Sequence, residues 1–268
     1  MPSVDASDLA AVREGFSRKA EPYDRRIALD PADAWARGIV RREVERRVQP
    51  GARILEINAG TGADAAWLAD RGYTVLATDI APGMVERIAA RAAERPGRLR
   101  AAERSFTDLD GLEGAPFDLV LSNFGGLNCT DRLELVGAEV RGVLRPGGHA
   151  VLVVMPPISP WEHALVLRGD SRTALRRWRR GGVLANIEGS LVRTWYHRPG
   201  RVATAFAPAF RMVALRSIGC FAPPLMFEGF PRRHRRAAAL GRRLEERLGA
   251  LPPFNRMGDF CVLTLEAR

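Results

Sequence analysis

Ile54-Leu55-Glu56-Ile57-Asn58-Ala59-Gly60-Thr61-Gly62-Ala63-Asp64-Ala65 reads as a buried strand that ends in a glycine-containing turn and opens a helix. Gly60 and Gly62 suit such a turn, because glycine tolerates positive φ and lets backbone approach a ligand closely. Beyond this stretch, short apolar runs alternate with longer segments of helical periodicity, the pattern of parallel strands joined by crossover helices. Strands are expected at residues 53–57, 73–78, 99–104, 117–122 and 149–155, with helices at 63–69, 82–94 and 131–144. Gly72, Pro96, Gly97, Pro146, Gly147 and Gly148 punctuate the junctions. The fold class is therefore α/β, doubly wound.

Upstream, residues 5–26 have loose helical amphipathicity, and a firmer helix start follows, with Asp30 as N-cap, Pro31 at the first position and Asp33 in the first turn. That helix is expected to reach about residue 48, with Trp35, Ile39, Val40, Val44 and Val48 on one face. Downstream of Met155 the alternation breaks. An Arg-rich helix is expected at 161–180, a strand at 191–196, a short helix at 201–207 and a strand at 210–218. A loop at 220–231, a second basic helix at 232–248 and a closing strand at 259–266 complete the chain. Three segments result: a helical cover at 1–49, an α/β core at 50–155, and insertions with closing strands of the same domain at 156–268.

A chain of 268 residues buries a core without staples. Cys129, Cys220 and Cys261 lie far apart and form no CxxC pair, which argues against a disulfide framework or a zinc knuckle. His149, His163, His197 and His234 show no metal-ligand spacing, so no metal is expected. The polar, acidic N-terminus and the absence of a long apolar run point to a cytoplasmic protein without a membrane span. The net charge of +10 is lopsided: residues 1–155 carry 21 Lys and Arg against 23 Asp and Glu, whereas 156–268 carry 20 against 8. Lys19 is the only lysine, and an arginine bias of this kind fits a GC-rich coding sequence as readily as an anionic partner.

Asp79 follows Gly62 by 17 positions at the end of the second strand, where a carboxylate can accept the hydroxyls of an adenosyl ribose. Gly60-Thr61-Gly62-Ala63-Asp64-Ala65 also satisfies the G-x-G-x-x-A fingerprint of nicotinamide dinucleotides, so the turn alone is ambiguous. Glu56 separates the two readings. A carboxylate at the tip of the first strand would repel a pyrophosphate and would suit the ammonium group of S-adenosylmethionine. Ser105-Phe106-Thr107-Asp108-Leu109 places an acid after the third strand, in reach of an adenine amino group. Phe117-Asp118-Leu119-Val120-Leu121-Ser122-Asn123-Phe124 ends the fourth strand with polar atoms and a ring.

On these residues the chain resembles class I S-adenosylmethionine-dependent methyltransferases, the broad group that includes quinone-pathway C-methyltransferases and many natural-product enzymes. The likeness runs over residues 50–155 and includes Leu144-Arg145-Pro146-Gly147-Gly148, while Phe16 to Asp24 resembles the segment that folds over the cofactor in that group. The resemblance implies a Rossmann-like, mostly parallel seven-stranded sheet with an antiparallel last strand and a helical lid or insertion. It further implies that Glu56, Asn58, Ala59, Gly60 and Gly62 hold the methionine portion and that Asp79 and Ile80 hold ribose and adenine. Thr107, Asp108 and Leu109 would meet the adenine edge, Asn123 and Phe124 would line the path to the methyl group, and Tyr23 would close over the ligand. Asn58 departs from the family, which usually has glycine there; asparagine is the next most tolerant residue of a left-handed backbone.

Methyl transfer by in-line displacement to a small, apolar or acidic metabolite, with S-adenosylhomocysteine as product, is the favoured activity. His163, His197, Tyr196 and Glu228 are the candidates for a general base should the acceptor keep its proton. The basic stretches at 168–180 and 232–247 keep an RNA-methylating or nucleic-acid-binding reading in play as the less favoured one. A NAD-dependent oxidoreductase and a noncatalytic cofactor-binding module are the remaining alternatives.

Overall fold

The computed structural model describes residues 6–29, 31–224, 227 and 229–268, apart from the side chains of residues 6–8, 22, 23 and 25–29. Two helices, α1 (Ala6–Leu29) and α2 (Pro31–Glu45), precede the sheet. Asp30, expected to cap α2, lies outside the described residues. The core runs β1 (Arg53–Ile57), α3 (Ala63–Ala69), β2 (Thr74–Asp79), α4 (Pro82–Ala93) and β3 (Leu99–Glu103). It continues through β4 (Phe117–Ser122), α5 (Leu133–Val143) and β5 (Leu144–Val154). Short helices α6 (Pro160–His163) and α7 (Ser171–Leu175) then lead to a hairpin of β6 (Val183–Ile187) and β7 (Ser190–Thr194). The chain closes with α8 (Pro199–Phe206), β8 (Phe210–Ile218), α9 (Gly229–Arg233), α10 (Arg235–Leu248) and β9 (Phe260–Ala267).

Seven strands form one sheet in the order β3-β2-β1-β4-β5-β9-β8, and β6 and β7 form a separate antiparallel pair. Strands β1 to β5 are mutually parallel, while β9 runs antiparallel to both β5 and β8. The apolar runs of the central strands bury both faces, as parallel sheets require. Leu55, Ile57, Val120 and Leu152 pack on one side with α5 and α8, and Ile54, Leu119, Leu121 and Val151 pack on the other with α2 and α3. Chain direction across the sheet reverses between β1 and β4. Such a switch point opens a crevice beyond the carboxyl ends of the strands, where ligands of open α/β sheets bind.

Four expectations need correction. The Arg-rich helix at 161–180 is broken into α6, a 3-10 turn at Ala164–Arg168, α7 and another turn at Arg176–Trp178. Gly169 ends the first turn at φ 80°, and Asp170 restarts the helix by accepting the Thr173 N–H at 3.0 Å. The hairpin partner β6 was not expected, since its turn is made by Glu188 at φ 47° and Gly189 at φ 88° rather than by a strong asparagine-glycine signal. The second basic helix divides at His234 into α9 and α10. Residues 144–148 belong to an irregular start of β5, where the pairing jumps from Phe117 with Leu144 to Leu119 with His149.

The cover over the strand tips is helix and hairpin together. α1 is clamped between the hairpin and α4 at two glycines: a Cβ on Gly15 would lie 2.9 Å from Ile187 O, and one on Gly83 would lie 2.7 Å from Ser17 O. Arg18 donates from Nε to Glu188 O at 2.9 Å and from Nη2 to Ser190 Oγ at 2.6 Å, and Arg91 pairs with Asp24 at 2.9 Å. Among the described residues, no helix is long and apolar enough to cross a membrane.

Candidate active site

A cavity of about 420 Å³ opens at the switch point, floored by the ends of β1, β2 and β4 and roofed by α1 and the hairpin. Glu56, Asn58, Ala59 and Gly60 line it from β1 and its turn, and Asp79 and Ile80 line it from the end of β2. Asn123 and Phe124 line it from β4.

The turn keeps a left-handed backbone, with Asn58 at φ 46°, Gly60 at φ 57° and Gly62 at φ 76°. Asparagine tolerates this region, and its side chain also ties two strand tips together. Nδ2 of Asn58 donates to Asn123 O at 3.2 Å, and Oδ1 accepts from Ser122 Oγ at 2.8 Å. Gly126 makes room for that side chain, since a Cβ there would stand 2.3 Å from Asn58 Cγ. Gly62 does not line the cavity: it lets α3 approach α4, its missing Cβ facing Ile88 Cγ1 at 3.0 Å.

Glu56 is 1% exposed, and its Oε2 has no hydrogen-bond partner. Burial pushes its carboxyl well above the usual range, the neighbouring Asp64 pushes it further, and Arg37 and Arg41 oppose both. Thr61 Oγ1, on the same wall, is likewise buried without a partner. Buried polar atoms left unpaired cost stability, and here both border a cavity that a ligand can enter. Asp79 accepts from the Gly60 N–H at 2.9 Å and from the Ala81 N–H at 3.0 Å. Burial nevertheless raises its pKa to about 6, the backbone donors offsetting only part of the shift.

Behind this wall sits a charged network that sequence reasoning missed. Burial alone would raise Asp64, but Arg37, Arg41 at 2.8 Å and the Asn123 amide at 2.8 Å hold it below the usual carboxylate range. Arg37 also bonds Asp33 at 2.5 Å and stacks on the Phe124 ring at 4.5 Å, and it lines the cavity. The available signal was the spacing of Asp33, Arg37 and Arg41 along one ridge of α2.

Beyond β3 the structure differs from the expectation for 107–109. Arg104 and Phe106 line the cavity; Thr107, Asp108 and Leu109 do not. Asp108 is exposed and pairs with Arg104 at 3.4 Å, Thr107 is held within its own turn by Ser105 at 2.7 Å, and Leu109 is buried in the core beneath α5.

Of the base candidates, Tyr196 alone lines the cavity among the described residues. His163 Nδ1 meets Ser159 O at 2.6 Å, and its Nε2 accepts from Trp178 Nε1 at 2.6 Å, so both ring nitrogens are engaged away from the cavity. His197 is buried against Thr130 O at 2.8 Å, and burial lowers its pKa and keeps it neutral. Glu228 and the side chain of Tyr23 lie outside the described residues. Cys129 lines the cavity with its thiol pushed up to about 12 by burial, and so remains protonated. Among the described residues, no group of three or more His, Cys, Asp or Glu side chains is placed to hold a metal ion.

Residues 54–148 match the family described as a methyltransferase domain. A demethylmenaquinone methyltransferase of Beutenbergia cavernae is 31% identical over 160 residues, which is 59% of this chain and 63% of that protein. The chain spans between 36% and 63% of the length of the first curated relatives it matches. Among solved structures, magnesium protoporphyrin IX methyltransferase from Synechocystis aligns with TM-score 0.59 and 14% identity, over 97% of this chain and 100% of that one. A Burkholderia thailandensis 1,6-didemethyltoxoflavin-N1-methyltransferase aligns with TM-score 0.58 and 18% identity, over 100% of this chain and 92% of that one. The core of the chain is similar to class I S-adenosylmethionine-dependent methyltransferases, and the whole chain has the Rossmann-like methyltransferase fold.

Proposed function

We propose that the protein transfers the methyl group of S-adenosylmethionine to a small-molecule acceptor. The observation that carries this reading is Glu56, a buried carboxyl whose free oxygen borders the cavity at the tip of β1. An ammonium group there would pair with a carboxyl oxygen that the protein itself leaves without a partner and would favour its ionised form, whereas a diphosphate would be repelled by that form. Asp79 would hold the ribose hydroxyls, Ile80 and Phe106 would flank the adenine, and the turn from Asn58 to Thr61 would hold the methionine portion.

When bound, S-adenosylmethionine supplies a methyl group on a positively charged sulfur that leaves readily. The protein's own contribution is alignment and exclusion of water. α1 and the hairpin close the cavity from above, and Gly125, Gly126 and Met155 shape its wall beside Phe124. Well-oriented reactions reach effective molarities on the order of 10⁵ M or more, so positioning supplies much of the rate. The small-molecule character of the acceptor is supported by the similarity to a demethylmenaquinone and a 1,6-didemethyltoxoflavin methyltransferase and by the cavity volume of about 420 Å³.

Titration calorimetry tests the reading. S-adenosylmethionine and S-adenosylhomocysteine are expected to bind and NADH is not; binding of NADH with no response to either sulfur compound overturns it.

A further inference from the structure

Arg176, in the turn after α7, lines the cavity and uses two of its three guanidinium nitrogens on Glu162, donating from Nε at 3.0 Å and from Nη2 at 2.9 Å. Its Nη1 makes no hydrogen bond with the described residues. Tyr196 lines the same cavity, and its ring lies 5.2 Å from the Arg177 guanidinium. Burial raises the Tyr196 hydroxyl above its usual pKa despite the nearby Arg176 and Arg177 charges, so it remains a donor. Both side chains are preset. Glu162 fixes Arg176, and Arg177 is fixed in turn by Glu162 and by Asp259 at 2.7 Å.

The acidic groups of the cavity are confined to one side, where Arg37 and Arg104 accompany them. The carboxylates that line the cavity, Asp33, Glu56, Asp64 and Asp79, all come from α2, the β1–α3 junction and β2, on the side assigned to the cofactor. The opposite wall is apolar, with Phe16 from α1, Met155 after β5, and Val183, Ala185, Ile187 and Val192 from the hairpin. Among the described residues its charged members are Lys19 and Arg176.

We propose that the acceptor is an apolar carboxylic acid, its carboxylate held between Arg176 Nη1 and the Tyr196 hydroxyl while its body packs on the hairpin. This rests on the methyl-transfer reading for the word acceptor; the binding corner itself does not need it. A carboxylate taking two charge-assisted donors offsets its own desolvation, whereas an amine would meet the like charge of Arg176. Glu162 holds Arg176 at the wall, so the side chain loses little freedom when the acid arrives.

The test uses 2-naphthoate and its uncharged partner 2-naphthamide, titrated into the full chain saturated with S-adenosylhomocysteine and followed by calorimetry. The acid is expected to bind about 10-fold more tightly than the amide, the ratio that one charge-assisted hydrogen bond provides. Tyr196→Phe and Arg176→Met should each abolish most of that preference, leaving amide affinity and S-adenosylhomocysteine affinity within about twofold. Tyr196→Phe removes a single oxygen and keeps the ring on Arg177, so it serves if Arg176→Met unfolds. Equal binding of acid and amide, no binding of the acid at millimolar concentration, or an unchanged preference in Tyr196→Phe overturns the proposal. Should S-adenosylhomocysteine itself fail to bind, the methyl-transfer reading falls, and the same titrations on the free protein still decide the corner.

Discussion

Two glutamates, Glu56 at the tip of β1 and Glu162 in α6, are equally hidden from water and behave in opposite ways. Glu162 receives four donor nitrogens from Arg176 and Arg177 at 2.5 to 3.0 Å. Burial would raise its pKa, yet those arginines hold it below the usual carboxylate range. Glu56 is raised instead and keeps an oxygen without a partner. The first arrangement is a joint, binding the segment after β5 to Asp259 at the start of β9. The second is a socket. A buried acid that its own fold satisfies marks a structural contact, and one that its fold leaves unsatisfied at the edge of a cavity marks a place for a ligand.

The largest expected effect lies in the joint. Arg177→Met leaves Glu162 and Asp259 short of a partner and should cost about 3–5 kcal/mol of unfolding free energy, measured by denaturant titration. A loss below about 1 kcal/mol would show the two sites to be alike. In the socket the expectation reverses. Glu56→Gln puts a neutral amide where burial already disfavours the charged carboxylate, so the ligand-free protein should keep its stability, while S-adenosylhomocysteine affinity drops by about 1–3 kcal/mol. Asp79→Ala should weaken the same affinity by more than about 1 kcal/mol through loss of bonds to the ribose; unchanged affinity in both variants would remove the cofactor assignment from this wall.

The β1 turn gives a subtler test. Gly126→Ala drives a methyl group into the Asn58 side chain and should destabilise by about 1–3 kcal/mol, and adding Asn58→Gly should recover most of it. Additive losses in the double variant would mean that the two residues do not share that space.

The smallest effect is a pH dependence. Asp79 has a folded pKa of about 6 against 3.8 for a free carboxyl, so any stability it contributes is present at low pH and is lost as pH rises through about 6. Ribose hydroxyls favour the ionised form and oppose that loss. The rise in melting temperature produced by S-adenosylhomocysteine should therefore be larger at pH 7.5 than at pH 5, and binding near pH 6 should release protons to the buffer. Asp79→Asn should flatten the difference; an undiminished pH response in that variant would assign it to Glu56 instead.

The sheet was legible because its signals are local. Apolar runs of strand length, the Gly60 and Gly62 turn and the punctuation by Gly72 and Gly97 need only neighbours in sequence, and the first four parallel strands fall within a residue of their expected bounds. The region after Met155 was not, because its elements are short and set by distant partners. β6 has little alternation and exists as a strand through β7 and α1, and the Arg-rich stretch is bent by Gly169 and Asp170 into position for Glu162 to hold. The strand-three acid shows the same limit within the core: spacing brings Asp108 near the right edge, but its backbone turns it to solvent and offers Phe106 in its place.

By itself the sequence determined the succession of strands and helices in the core and the identity of the two carboxylates, Glu56 and Asp79, at the ends of its first two strands. Hydrophobic period and turn chemistry act over a few residues, and the crossover rule converts them into a sheet. Only the tertiary structure decided which polar atoms are left unsatisfied and which are paired. That is a property of what arrives from elsewhere in the chain: Arg37 beside Asp64, Asn58 in the hollow left by Gly126, Arg176 and Tyr196 on the wall that faces them. Burial and hydrogen bonding across many residues set those balances, and no local pattern encodes them.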